Sequence, residues 1–106
     1  MNRTLRAILA ELRTGLEALY GQRLAQLFLY GSQTRGDAEP GSDIDILVVL
    51  RGPVSPGEEI ARTGPFLAAL CLRHNQLVCC VFISEERLLA ERSPLLLNVR
   101  KEGVPV

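Results

Sequence analysis

The run Asp43-Ile44-Asp45-Ile46-Leu47-Val48-Val49-Leu50 constrains this chain more than any other stretch. Ile44 to Leu50 is aliphatic except at Asp45 and rich in β-branched residues, which favours a strand. Its peculiarity is at the start, where two aspartates flank one isoleucine. Side chains alternate along a strand, so Asp43 and Asp45 point to the same face with Cα atoms roughly 6.5 Å apart. Two like charges that close are unfavourable unless a cation or a solvated strand end relieves them. Both explanations are open at this point.

The residues upstream bear on the choice. Tyr30 to Leu50 reads YGSQTRGDAEPGSDIDILVVL. A glycine at Gly31 lets the backbone approach a ligand closely, and the N–H groups that follow, with the Ser32 hydroxyl, can cradle a phosphate. Arg35 is a candidate charge partner, and Gly36 permits a sharp turn back towards the aspartates. Mg²⁺ takes a hard-oxygen shell of a few carboxylates, phosphate oxygens and water. A phosphate cradle beside metal-binding carboxylates is the equipment of phosphoryl or nucleotidyl transfer.

Helical and strand patterns alternate along the chain. Leu5, Ile8, Leu9, Leu12, Leu16 and Leu19 recur at helical spacing, and Gly21 supplies a stop. Gln26 to Tyr30 is expected as one strand, Ile44 to Leu50 as a second and Leu77 to Ile83 as a third. Ser55-Pro56-Gly57-Glu58 has the composition of a helix start, and that helix should run towards Arg73 with a kink or break at Gly64-Pro65. Ser84 caps a short helix through Leu89, and Ser93-Pro94 starts a last helix that Gly103 ends. Three strands with surrounding helices predict a small α/β or α+β domain with no internal repeat.

At 106 residues, the expectation is a single domain over 1–106 with no second lobe to hold a substrate. Twelve basic residues balance twelve acidic ones, so bulk electrostatic attraction to nucleic acid is not expected. No apolar run approaches the roughly 20 residues that span a bilayer, and the charged N-terminus lacks the apolar core of a signal peptide. Cys71, Cys79 and Cys80 have no metal-ligand spacing, and His74 is the sole histidine. A reduced, cytoplasmic protein is expected.

Gly31-Ser32, ten intervening residues and Asp43-Ile44-Asp45, with Arg35-Gly36 between, resemble the signature of the DNA polymerase β-like nucleotidyltransferase superfamily. The nearest likeness is to its minimal, stand-alone group. The resemblance implies a mixed β-sheet with helices packed on one face and the active site on the other. It implies that Asp43 and Asp45 hold Mg²⁺, and that Gly31 and Ser32 bind the phosphates of a nucleoside triphosphate such as ATP, with Arg35 either touching phosphate or bracing the loop. The implied reaction moves AMP, or another nucleoside monophosphate, to an acceptor hydroxyl. Such domains often pair with an all-helical HEPN-type protein, and some act as antitoxins by adenylylating it. The alternative is a catalytically weak or inactive nucleotide-binding antitoxin subunit that acts by contact.

The sequence departs from that pattern on the third strand. Active members usually carry a third carboxylate there, whereas LVCCVFI holds none and has Cys79 and Cys80 at its centre. Glu85 and Glu86, just beyond, read as helix-start residues favoured by the helix dipole. The two cysteines should face opposite sides of the sheet as small buried hydrophobes. His74 should meet the terminal carbonyls of its helix. Asp37 and Glu39 read as solvated loop acids. Leu95, Leu96 and Leu97 cannot share one narrow helical stripe, so either that helix is sandwiched within the domain or part of it meets another chain, and the second is expected. A homodimer or a complex with a helical partner is expected.

Overall fold

The structure is a computed structural model and describes residues 3–35 and 42–106. The expected roles of Gly36, Asp37 and Glu39 therefore lie outside the described residues. Four strands form one mixed sheet: β1 (Leu24–Tyr30), β2 (Ile44–Leu50), β3 (Val78–Ser84) and the two-residue β4 (Val104–Pro105). Their order is β3-β2-β1-β4. β2 pairs antiparallel with β1 and parallel with β3, while β4 adds antiparallel to the far edge of β1. A parallel pair needs a long crossover, and here a single helix between β2 and β3 provides it.

The helices are α1 (Arg3–Tyr20), the single turn α2 (Ser32–Arg35), α3 (Pro56–His74), α4 (Glu85–Ala90) and α5 (Pro94–Glu102). Alternation along β2 divides the interior into two cores. Ile44, Ile46, Val48 and Leu50 join Leu27, Leu29, Val78 and Phe82 beneath the apolar stripe of α1 and α3. Leu47 and Val49 turn the other way and meet Ile83, Leu88, Leu96 and Val99, so α4 and α5 cover the carboxyl-terminal half of that second face. Its amino-terminal half, where Asp45 follows the same alternation, is left without a helix among the described residues. The long helices thus lie on one face as expected, and two short ones close half of the other.

Several local expectations hold, and others are corrected. β1 begins at Leu24, two residues early, and β3 spans Val78–Ser84. α1 carries its buried positions at Leu5, Ile8, Leu9, Leu12 and Leu16 and ends before Gly21, whose φ of +56° suits glycine. Ser84 and Ser93 cap α4 and α5 by accepting from the backbone N–H of Arg87 and Leu96. Ser55 makes no such side-chain bond; the α3 start rests on Pro56 and on Glu58 and Glu59 in the first turn.

α3 also passes through Gly64-Pro65 without ending. An interior proline removes one helical hydrogen bond and costs about 3 kcal/mol. Packing on both sides of it offsets that cost: Thr63 and Leu70 are fully buried. Phe66 also lies so close over α1 that a Cβ on Gly15 would sit 2.1 Å from its ring. His74 is a further correction. Its Nε2 lies 2.9 Å from Glu11 Oε2, which also accepts from Arg73 at 3.1 Å. The ring therefore joins α3 to α1 rather than to its own terminal carbonyls.

Candidate active site

Asp45 is the second residue of β2, and Asp43 immediately precedes the strand. Among the described residues, β2 is the strand with neighbours on both sides along its length, so Asp45 is fixed between Tyr30 of β1 and Cys79 of β3. Asp43 is exposed, whereas Asp45 is half-buried. Burial raises the Asp45 carboxyl above the ordinary carboxylate value, and the Asp43 charge adds to the rise. Among the described residues, no basic side chain pairs with either aspartate.

Gly31 closes β1 with φ +80°, and a Cβ there would stand 2.7 Å from Asp45 Oδ2. No other residue type meets both demands without strain. The carbonyl of Gly31 accepts from the N–H of Thr34 at 3.1 Å and from its hydroxyl at 2.8 Å, which forms the turn α2. Ser32 and Arg35 are the first and last residues of that turn. The glycine-serine turn and the aspartates therefore meet at one end of the sheet, as their spacing suggested.

Two residues that sequence reasoning missed hold the approach to Asp43. Gln33 Nε2 donates to the Ser42 carbonyl at 3.3 Å, and Gln76 Nε2 donates to the same oxygen. The N–H of Ile44 donates to Leu77 O at 2.9 Å just beyond. An exposed glutamine carries no pattern that distinguishes it from a solvated one, so neither role was legible before folding brought residues 33, 42 and 76 together.

Of the two strand cysteines, Cys79 looks into the site. Its Sγ lies 4.0 Å from Asp43 Oδ2, at the outer limit for a thiol donor. Burial, then the charges of Asp43 and Asp45, raise its pKa. Cys80 faces the α1–α3 core, and burial pushes its thiol up to about 12. Tyr30 shares the site face, its pKa raised by burial and then by Asp45. Glu85 and Glu86 start α4 at the opposite end of β3 from Cys79.

The donor set fits one divalent cation bound jointly with phosphate. Two carboxylates on one face supply hard oxygens, and among the described residues no basic side chain pairs with them. Among the described residues, no three His, Cys, Asp or Glu side chains converge to enclose an ion alone. The rest of any shell must come from the ligand and water.

The nucleotidyltransferase domain family matches residues 9–96. The chain belongs to that family. Solved structures agree in fold. A chain of a toxin–antitoxin complex with AMP-PNP superposes with TM-score 0.66 at 20% identity, over 91% of this chain and 69% of that one. A structure presented as a minimal nucleotidyltransferase gives 0.62 at 25% identity, over 97% and 93%. A chain from the complex of tri-AMPylated Shewanella oneidensis HEPN toxin with MNT antitoxin gives 0.57 at 18%, over 96% and 67%. No curated protein matches the sequence significantly. Among the described residues of this nucleotidyltransferase domain, no helix is long and apolar enough to cross a membrane.

Proposed function

We propose that the chain is a divalent-metal-dependent nucleotidyltransferase that moves AMP from ATP to a hydroxyl presented by a second protein, with a HEPN-type helical toxin as the acceptor. The observation that carries this reading is the meeting of Asp43 and Asp45 on one sheet face with the Gly31 turn, where a Cβ would stand 2.7 Å from Asp45 Oδ2. Asp43 and Asp45 would hold Mg²⁺, which when bound would screen the triphosphate and steady charge as it develops on the transferring phosphorus. Gly31 and Ser32 bind the phosphates, and Arg35 adds positive charge to them or braces their loop. Asp45, fixed in the sheet, sets the position of the α-phosphate; Asp43, on the segment gripped by Gln33 and Gln76, closes the site from the solvent side. The neighbours' AMP-PNP and AMPylated HEPN toxin support this choice of nucleotide and partner.

Cys79 favours a second reading, in which the chain binds nucleotide but transfers it slowly or not at all and acts on its partner by contact. A thiol stands where it could help neither carboxylate as a hard ligand. One experiment separates the two. The protein is incubated with labelled ATP, Mg²⁺ and a HEPN-type helical protein, taken from the neighbouring gene where one is found. Label appearing on the partner, and lost in Asp43→Asn, supports transfer; a stable unlabelled complex that silences the partner supports contact.

Nucleotide binding is tested independently of transfer. A ligand that binds only the folded state adds about 2.7 kcal/mol at a hundredfold excess over Kd. Wild type should gain melting temperature with MgATP, and Asp43→Asn with Asp45→Asn should lose the gain. An equal shift in the double variant would sink the metal assignment.

A further inference from the structure

The two edges of the sheet are finished differently. On one side β4 ends the ladder with Pro105, which has no N–H to offer a further strand. On the other side β3 lies outermost, with no charge, proline or register shift along its length. Natural sheets guard exposed edges with those same devices. The N–H of Ile44 donates to Leu77 O at 2.9 Å, so odd positions of β3 bond to β2 in the parallel ladder. Val78, Cys80 and Phe82 therefore turn their N–H and C=O groups outwards. Cys71 Sγ takes the N–H of Val78 at 3.3 Å. The outward groups of Cys80 and Phe82 have no partner among the described residues. Val81, between them, is the one exposed residue of β3. Leu77, next to Val78, and Leu72, next to Cys71, are exposed as well.

We propose that this edge pairs with the same edge of a second copy of the chain, antiparallel about a twofold axis at Val81. That register sets Cys80 opposite Phe82 of the second copy and Phe82 opposite its Cys80, so every unpaired group exchanges a hydrogen bond. The two Val81 side chains then form the non-hydrogen-bonded pair at the axis, with Cα atoms about 4.5 Å apart. A register centred on Cys80 would set Phe82 against Val78, whose N–H is already taken. One centred on Phe82 would set Cys80 against Ser84, where the chain turns into α4. A helical partner cannot fill this row, because a helix spends its backbone groups on itself. With no charged side chain in β3, two copies meet without like-charge opposition. Growth stops at two, since Pro105 closes the outer edge of each copy. Opposed residues of an antiparallel pair share a face, so both aspartate sites open on the same side of the joined sheet. Nothing in this pairing depends on nucleotide transfer, and either can fail alone.

The full chain is followed by sedimentation from micromolar to near-millimolar concentration, where wild type should pass from monomer to dimer and no further. Val81→Lys and Val81→Glu should each weaken the dimer about tenfold or more with unchanged far-ultraviolet dichroism. An equimolar mixture of the two should associate again, because opposite charges then meet at the axis. Val81→Cys should form an intermolecular disulfide under mild oxidation, since the axis brings the two Cα atoms within bridging range. Wild type should not, because Cys79 then faces Ile83 of the second copy. If the charged variants fail to fold, the Val81→Cys bridge decides alone. A monomer at every concentration, species larger than a dimer, or no bridge in Val81→Cys overturns the proposal. A mixture of the charged variants that stays monomeric overturns the axis at Val81. A dimer indifferent to Val81→Lys does the same and turns attention to the exposed Leu97 of α5.

Discussion

Glu59 and Asp45 are both carboxylates held against the interior, and the protein treats them in opposite ways. Glu59 is 2% exposed, yet it accepts from the Tyr20 hydroxyl at 2.8 Å and pairs with Arg62. The guanidinium groups of Arg23 and Arg62 each lie 5.7 Å from the centroid of the Tyr20 ring. Asp45 is less buried and worse served: among the described residues no basic side chain pairs with it, and burial, then the Asp43 charge, raises its carboxyl. A buried carboxylate kept for architecture is given its partners by the fold. Asp45 is left short of them, and under the proposed function the ligand supplies the difference.

The largest test adds the case that nature omits, a carboxylate buried with no partner at all. Cys80→Asp places one among the core side chains under α1 and α3, and it should unfold the domain. Cys79→Asp, one position away, should fold normally because its side chain enters the open site. Far-ultraviolet dichroism of the two proteins decides this, and equal tolerance would show that β3 is misplaced.

Next in size is Glu59→Ala, which strands the Tyr20 hydroxyl and Arg62. Arg62 is partly exposed, which discounts its share, so the expected cost is about 2–4 kcal/mol, a fall on the order of 15 °C in melting temperature. Glu59→Gln keeps the tyrosine bond and should lose less. A shift within a degree or two would mean that Glu59 is not the partnered group described here.

Asp45→Asn should have the opposite sign. A carboxyl whose folded pKa is raised costs stability as pH rises above its unfolded value. Without ligand the variant should melt on the order of a few degrees higher than wild type. A lower melting point would indicate that a partner already compensates Asp45.

The smallest effect lies at high pH. Burial, then the Glu59 hydrogen bond, raises Tyr20 to about 12. Its contribution is therefore intact below pH about 10 and lost as pH rises through 12. Cys80, raised to about 12 from a lower starting value, loses its share over a window that opens nearer pH 9. Tyr20→Phe should flatten only the upper part of the alkaline decline in denaturant midpoint.

What could be read from the sequence follows how local each cause is. The α1 stripe, the serine caps of α4 and α5 and the meeting of Gly31 with the aspartates depend on spacing within one element or one turn. Strand alternation showed that Cys79 and Cys80 must part company, but not which would see the site, because that depends on where α1 and α3 pack. Glu59 was illegible for a different reason. An acid in the first turn of a helix is already explained by the dipole, so nothing in the local pattern pointed to Tyr20, 39 positions away. The tie from Glu11 to His74 spans 63 positions and was equally hidden. β4 escaped notice because Val104-Pro105 is too short for alternation to show and includes a proline, which an edge position beside β1 tolerates.

The start of β2 places the two site aspartates on either side of a mechanical boundary. Asp45 belongs to a strand laddered on both edges, which can open only when the sheet itself opens. Asp43 precedes the ladder, and its chain is retained there by the glutamine amides on Ser42. The pair is therefore a fixed jaw and a movable one. Amide exchange in the ladder reports the lifetime of the whole fold, while Asp43, ahead of the ladder, does not wait for the sheet to open. A ligand that bridges them would slow the second clock far more than the first.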